Sequence, residues 1–541
     1  MRTTLQLAKI AIGDSSFTAI EQDRHGQSPW FHVYKVHLPV DKFRGIPTEW
    51  VFVVLDPASV NAGQTEESIL ANVYEIIEHT PHSTPVLVIN DVPRLQLCPD
   101  FIALPRNVFC LDARTLPTTQ KHDVAPRQSP LAMAIRQKFP SATEALLKLS
   151  PYQREKPVSG WQFFGREREL RELANTSENI VIVGARRIGK TSLMLEAARR
   201  MKELGERVYY LSVQNVRNSG EVVSALLSEL APSEKAAAVR RQKAMDEQLL
   251  SVVLRNATTQ QRRLTLLLDE LGNVISGDSL EDRKLFGLLR EWTQGGQVRV
   301  IMSCFQELSR AQQQAFSGPL VNFAATMRLG VFSDREVEEI IIAPWEFWKP
   351  LAPKEKERLL EIVVAEVGCH PFFLQFFGYA LFDQLKGQAS PDILLTAKRI
   401  LRKDLPQFFD SPVEEVFYRI PSAMLTYLFL ERGSEAAQRK DDPLHKAVID
   451  DDWVQRKLAS LGYETTVAAR RNLLDAMEIH GLTCAQDGAR SKQRITVPVV
   501  YHFVARMESP LSRYVDKLKM DIADEVKEWN LQPLRPTAGG T

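Results

Sequence analysis

A chain of 541 residues with 44% apolar and 25% charged residues has material for three or four ordinary globular cores, which excludes a fibrous or largely disordered protein. Its 68 Lys and Arg balance 67 Asp and Glu to a net charge of +1, so the molecule as a whole has no electrostatic reason to wrap nucleic acid. Five scattered cysteines (Cys98, Cys110, Cys304, Cys369, Cys484) form no C-x-x-C pair and no apolar run reaches membrane-spanning length, which predicts a cytoplasmic protein without disulfides, zinc ribbon or membrane segment.

Residues 1–140 alternate extended and helical patterns. Strands are expected at 5–12 and 31–38, paired as a hairpin across the polar 22–27, then at 50–55, 85–89 and 108–111. Amphipathic helices are expected at 68–79 and 131–139. The layout predicts a small parallel α/β module, receiver-like or TIR-like, offering a surface to a protein partner. Asp56, Asn90, Asp91 and Asp112 stand near strand ends, where α/β sheets place ligands, but these residue types also end strands and start turns. His79-x-x-His82 encloses Pro81 and has no carboxylate or cysteine at ligand spacing, so it does not make a metal site.

Polar, proline-bearing stretches at 120–130 and 151–160 mark 141–162 as a connector to a core over 163–344. The core opens on Phe163-Phe164-Gly165-Arg166-Glu167-Arg168-Glu169-Leu170. The apolar run 180–183 then reads as a buried strand ending in Gly184-Ala185-Arg186-Arg187-Ile188-Gly189-Lys190-Thr191, which fits G-x-x-x-x-G-K-[ST]. A helix follows from Ser192 with Leu193, Ala197, Met201 and Leu204 on one side, and Gly205 can end it. Glycines at such a turn let backbone N–H groups approach phosphate oxygens, and the helix N-terminus favours the anion. Lys190 would reach the β- and γ-phosphates of ATP, and the Thr191 hydroxyl would bind Mg2+.

About 80 residues on, an apolar run ends in Asp269-Glu270. Asp269 suits the metal and Glu270 the polarisation of an attacking water, so hydrolysis of the bound nucleotide is expected. A strand over 298–303 ends in Ser303, followed by Cys304, Phe305 and Gln306. Ser317-Gly318-Pro319-Leu320 leads to Met327-Arg328-Leu329-Gly330-Val331-Phe332-Ser333, where Ser333-x-x-Glu336 is a capping box for a helix expected to end before Pro344. Arg328 can approach a γ-phosphate or pair with a local carboxylate.

Residues 345–410 read as a helical lid. A helix from Lys354 gives way at Gly368-Cys369-His370-Pro371, and Pro371 restarts a helix at its first turn, where a missing N–H costs nothing. Phe372, Phe373, Phe376 and Phe377 read as lid core. Residues 411–510 give helices at 412–432, 451–461 and 465–480 and then a hairpin across Asp487-Gly488, the pattern of a winged helix. Arg470, Arg471, Arg490, Lys492 and Arg494 offer contacts to nucleic acid, but from Pro412 onward 18 Lys and Arg face 19 Asp and Glu, a net of −1 that favours packing against the core. A C-terminal helix and a Pro- and Gly-rich tail, expected to be disordered after Trp529, fill 511–541.

The F-G-R-E box some twenty residues before a G-x-R-R-x-G-K-T-S-L loop resembles the STAND class of signalling ATPases, relatives of AAA+ and Orc/Cdc6 proteins. The resemblance implies an α/β multidomain fold: P-loop core with AAA+-like parallel sheet, helical lid, winged helix. It puts Phe164, Gly165 and Arg166 against the adenine, the whole loop from Gly184 through Arg187, Ile188, Gly189 and Lys190 to Thr191 and Ser192 around the phosphates, and Pro371 on the base side with His370 near the phosphates. It places the 298–303 strand between those of the P-loop and the acidic pair, with Ser303, or else Gln306, sensing the γ-phosphate. Arg186 and Arg187 then belong to the loop pattern and are no sign of nucleic acid. The implied function is an ATP/ADP switch in signalling or defence, forming a homo-oligomer on activation; the other expectation is a DNA-dependent ATPase of the Orc/Cdc6 or transposition-helper kind, with the winged helix on DNA.

Overall fold

The computed structural model describes residues 162–230, 264–272, 284–294, 298–304, 323–348, 351–385, 392–439, 443–486, 489–508 and 510–534, and before them chiefly 19–23, 31–38, 49–55, 85–91, 108–113, 152–154 and 156–159. The expected strand at 5–12, Asp56, almost all of the helices at 68–79 and 131–139, the His79/His82 pair, most of the connector at 120–151, Gln306, 317–320, the 487–488 turn and the last seven residues lie outside these.

Five strands near the N-terminus form one sheet in chain order: β1 (Ala19–Asp23), β2 (Phe31–His37), β3 (Glu49–Leu55), β4 (Val86–Asn90) and β5 (Val108–Asp112). β3, β4 and β5 run parallel, as near-continuous Val, Ile, Leu and Phe runs buried on both faces should. β1 and β2 are antiparallel, and β2 is antiparallel to β3. The sheet is therefore mixed, correcting the parallel expectation, and its order departs from the 2-1-3-4-5 winding of receiver-like sheets. The hairpin partner of β2 is β1, which includes Gln22. Periodicity marks a strand but carries no information about its direction.

The second sheet is parallel. Its strands are β6 (Ile180–Gly184), β7 (Arg207–Ser212), β8 (Leu264–Asp269), β9 (Val298–Cys304) and β10 (Ala325–Leu329), in the spatial order β10-β6-β9-β8-β7. β9 lies between the strand that leads into the P-loop and the strand that ends in Asp269, the arrangement of a P-loop nucleotide hydrolase. Helices α1 (Glu167–Asn175), α2 (Lys190–Glu203), α3 (Ser219–Leu230) and α4 (Lys284–Gln294) accompany it. Leu193, Met194, Ala197 and Met201 of α2 pack with Ile180, Ile182, Leu267 and Ile301 of the strands, and Gly205 ends the helix at φ 82°.

The chain continues through α5 (Asp334–Trp348), α6 (Pro353–Glu366), α7 (Pro371–Gln384), α8 (Ile393–Arg402) and α9 (Leu405–Val416). The expected stop before Pro344 is wrong, since α5 runs through it. A proline there takes the N–H from the carbonyl four residues back, Ile340. The Tyr152 hydroxyl, from the connector, donates to that carbonyl at 2.7 Å and so fills the vacancy. The expected single helix at 412–432 is also wrong: α9 ends at Val416 and α10 (Ala423–Gln438) starts afresh. Pro421 lies in the break, the Ser422 side chain caps Leu425 N–H at 3.3 Å, and the Glu525 carboxylate accepts from the Ser422 hydroxyl and from the N–H groups of Ala423 and Met424.

After α10 come β11 (Val448–Asp450), α11 (Asp451–Ser460), β12 (Tyr463–Glu464), α12 (Val467–Ile479), β13 (Thr483–Gln486) and β14 (Ala489–Ile495). β11, β14 and β13 form a three-stranded antiparallel sheet against the three helices. α13 (Pro498–Met507) and α14 (Leu511–Glu525) follow, and β15 (Gln532–Pro533) pairs with β12, so the first residues after Trp529 have a fixed place, while 535–541 lie outside the described residues. This unit is joined closely to α6 and α7. Cys369 N–H donates to Thr496 carbonyl at 2.9 Å, and a Cβ on Gly368, whose φ is 93°, would fall 2.0 Å from that same oxygen. Gly368→Ala combines a left-handed backbone with a backbone clash; a loss of about 2–5 kcal/mol is expected, read as a melting temperature about 5–10 °C lower. An unchanged melting temperature would show that the joint has slack.

Candidate functional site

β6 is fully buried and delivers the phosphate-type loop to the top of the sheet. Gly184 has to be glycine, because a Cβ would fall 2.5 Å from the Leu329 carbonyl of β10. Gly189 has φ 100° and Arg187 φ 60°, while buried Ile188 anchors the turn from beneath. α2 starts at Lys190, whose Nζ donates to the carbonyls of Gly184 and Ala185 at 2.8 and 2.9 Å, curled onto its own loop. Arg187 reaches across to α9, where its Nε meets Glu415 Oε2 at 2.6 Å, and its guanidinium lies 5.2 Å from the centre of the Phe372 ring.

At the end of β8, Asp269 is 1% exposed. One carboxylate oxygen accepts from the Tyr210 hydroxyl at 2.8 Å and the other from the Ser303 hydroxyl. The Ser303 Oγ in turn accepts the Glu270 N–H at 3.0 Å. Glu270 has φ 64°, a left-handed conformation that costs a non-glycine residue about 1–2 kcal/mol and turns its side chain from the strand line into the cleft. Burial and the Asp269 charge push the Glu270 carboxyl up, against the pull of Lys190, Arg186 and Arg187. Ser303 itself is fully buried, is not among the residues lining the cleft, and bonds both members of the acidic pair.

These pieces border one cleft of about 850 Å³. Seven cations line it (Arg154, Lys156, Arg166, Arg186, Arg187, Lys190, Arg419) against two carboxylates, Asp269 and Glu270, a balance suited to a polyanion. Phe163, Phe164, Val158, Phe332, Ile340, Pro371 and Phe372 supply an apolar part. Of the box residues, Phe164 borders the cleft and Gly165 does not. Arg166 is 5% exposed, and its guanidinium donates to the carbonyls of Gly330 and Ile188 and lies 4.7 Å over the Phe332 ring. Its N–H donates at 2.7 Å to Glu336, the capping glutamate of α5. Burial alone would push the Glu336 carboxyl up, but the N–H groups of Ser333 and Arg166 and the Arg166 charge hold it below the usual range. Gly165 has φ 71°, which disfavours a side chain, and a Cβ there would also press on the Glu336 side chain at 3.0 Å. The box thus acts mainly as a brace between P-loop and α5.

Thr191, Ser192 and Pro371 border the cleft, and Ser192 Oγ accepts Val158 N–H at 3.1 Å. His370 does not border it. Its ring is fully buried, caps α7 by accepting Phe372 N–H at Nδ1, and sits where a Cβ on Gly481 would press, at 3.1 Å, with Ala185 on the same spot at 3.3 Å. Burial, Arg166 and Lys190 push its pKa down to about 3, so the imidazole is neutral and belongs to the joint between P-loop, α7 and the C-terminal unit. Arg328 is exposed on β10 and outside the cleft lining. Sequence reading missed Tyr210, Arg419 and His480, all of which line the cleft. Tyr210 looks like strand core, Arg419 fell inside the supposed 412–432 helix, and His480 ends a helix like any polar residue; only the three-dimensional fold brings them to Lys190.

Fold and site together define a P-loop ATPase domain. Residues 163–305 match the family model of an ATPase domain predominantly from Archaea, a span from the Phe163 box to the residue after β9. Solved structures similar to the chain include the Walker-type ATPase of Pyrococcus abyssi (16% identity, 66% of this chain and 99% of that one, TM-score 0.45). The ORC2 protein of Aeropyrum pernix is similar at 15% identity, over 69% of this chain and 98% of that one, with a TM-score of 0.44. DnaA of Aquifex aeolicus is similar at 14% identity, over 68% and 96%, with a TM-score of 0.31. No curated protein matches the chain. Among the described residues, no helix is long and apolar enough to cross a membrane.

Proposed function

We propose that the chain is a Mg2+-dependent ATPase of the STAND type, in which ATP and ADP set the arrangement of core, lid (α6–α9) and a winged helix (α10–α12 with β11, β13 and β14). What carries the reading is that one cleft is bordered by all three: the P-loop and acidic pair from the core, Pro371, Phe372 and Gln375 from the lid, and His480 from the C-terminal unit, with Arg419 and Pro421 also in its lining. A ligand held among three parts favours one arrangement of them, and a switch works to the extent that ATP and ADP favour different ones.

In this reading Lys190 and the N–H groups of the loop hold the phosphates, and Phe164, Pro371 and Phe372 take the base. Thr191 and Asp269 would hold Mg2+. The donors fit, being a hydroxyl and a buried carboxylate, and no three His, Cys, Asp or Glu cluster among the described residues to hold a metal unaided. Mg2+ with one or two carboxylates, waters and substrate phosphates needs no more; when bound, it neutralises charge on the phosphate oxygens. Glu270 would accept a proton from the attacking water. The N-terminal sheet serves as input or output of the switch.

Of the five basic residues offered to nucleic acid, Arg470 and Arg494 are engaged with protein, and the side chain of Arg490 lies outside the described residues. Arg470 pairs with Asp451 at 2.8 Å, and Arg494 bonds the Cys484 sulfur at 3.3 Å and approaches Asp334 at 3.6 Å. Arg471 and Lys492 stay exposed, and on them rests the alternative, a DNA-dependent ATPase. Light scattering on the Glu270→Gln protein separates the two. A larger assembly with MgATP than with MgADP, indifferent to DNA, is expected of the switch. Equal masses in both nucleotides, with wild-type turnover stimulated by duplex DNA in a steeply salt-dependent way and lost in Arg471→Ala/Lys492→Ala, would transfer the assignment to the DNA-dependent enzyme.

A further inference from the structure

The connector leading from the N-terminal sheet to the core is part of the cleft. Gln153, Arg154, Lys156, Pro157 and Val158 all border it. Two hydrogen bonds hold this stretch at the cleft. Gln153 N–H donates to Gln375 Oε1 at 3.1 Å and Val158 N–H to Ser192 Oγ at 3.1 Å. Both acceptor side chains themselves face the cleft. Arg154 lies 4.1 Å over the Tyr379 ring of α7. These contacts are few, partly exposed and individually weak.

One residue is held differently. Tyr152 is 2% exposed, with its ring 5.0 Å from that of Phe382, which stacks on Trp345 at 4.5 Å. Its hydroxyl occupies the Ile340 carbonyl that Pro344 releases inside α5. Its ring occupies a notch that exists only because residue 378 is glycine, since a Cβ there would lie 2.4 Å from the ring. Two features that weaken helices, a proline within α5 and a glycine within α7, therefore converge on one tyrosine of the connector.

We propose that the described residues 152–154 and 156–158 act as a nucleotide-responsive strap. Tyr152 is its anchor, the stretch up to Val158 completes the wall of the cleft, and occupancy of the cleft and seating of the strap form one equilibrium. The inference rests on the nucleotide-binding reading of the cleft and adds the means by which the N-terminal sheet senses it. A ligand that needs the seated strap binds with an apparent Kd equal to the intrinsic value divided by the seated fraction. By reciprocity the ligand holds the strap down by the same factor, and with it the tether of the N-terminal sheet.

Hydrogen exchange on the full chain, with and without MgATP, tests this directly. In the wild type, MgATP should slow exchange of the Gln153 and Val158 amides tenfold or more, together with the amides of 184–191. Gly378→Ala evicts Tyr152 while improving helix propensity at that position, so folding is not the weak point. In that variant the loop should still become protected, the strap should exchange quickly with or without nucleotide, and a fluorescent ATP analogue should bind about tenfold more weakly. Tyr152→Phe keeps the ring, loses only the bond to Ile340, and should fall between. Loop protection without any change at 152–158, or Gly378→Ala binding the analogue as the wild type does, overturns the strap. If MgATP protects nothing in the wild type, the nucleotide reading of the cleft falls, and the strap with it.

Discussion

Lys190→Ala should leave a folded protein that no longer binds ATP, with apparent affinity lower by at least about a hundredfold, or some 2.7 kcal/mol. The ammonium is the one cation of the loop aimed back over its own carbonyls, bonded to Gly184 and Ala185. It borders the cleft at the start of α2, so a phosphate bound at the loop lies within reach of its charge. Removing it deletes a charge-assisted contact, worth roughly twice a neutral one, from a partly buried site. The fold should tolerate the change, because position 190 opens α2 and alanine is the best helix former. Titration with a fluorescent ATP analogue, alongside a melting curve, checks both halves. Wild-type affinity in the variant would mean that the cleft does not hold phosphates where the loop lies.

What could be read in the sequence was what is local. The β6–loop–α2 unit occupies 24 consecutive residues, 180–203, and the pattern that marks it, an apolar strand, the glycine-bearing loop and an amphipathic helix, lies wholly within that span. Asp269-Glu270 could be read for the same reason: a buried strand must end where two acids begin. The two prolines show the limit. Pro344 was expected to stop a helix and does not, because a hydroxyl 192 residues away, that of Tyr152, satisfies the carbonyl it frees. The break at Pro421 was missed although proline and Ser422 together spell one, because the apolar rhythm continues on either side and the carboxylate that secures the new start, Glu525, comes from α14. A proline ends a helix unless some distant group can take over the orphaned carbonyl, and sequence spacing does not say whether one will. His370 and Ser303 illustrate the same point at the site. The family resemblance implies a place near the phosphates for both, while the structure has one buried in an interdomain joint and the other bonded beneath the acidic pair.

Glu270→Gln should separate binding from turnover: ATP affinity equal to or tighter than wild type, and kcat lower by about 10²–10⁴, the range that general base catalysis supplies. Glutamine keeps the length and planarity of the side chain, and the backbone that turns it outward is fixed independently, since the Glu270 N–H is held by Ser303 whatever the side chain carries. Loss of rate would therefore report loss of the carboxylate and not of its placement. Affinity should not suffer, because one of the two negative charges facing the phosphates is gone while Asp269 remains to meet Mg2+. The environment is suited to a base. Burial and Asp269 both favour the protonated form of Glu270, so an ionised carboxylate there is more basic than one in water and has more to gain by taking the proton of an attacking water. Single-turnover hydrolysis with enzyme in excess measures the chemical step free of product release. If Glu270→Gln turns over at the wild-type rate under those conditions, another group takes the proton; if it loses ATP binding instead, Glu270 holds the loop and the acidic pair serves only to position the metal.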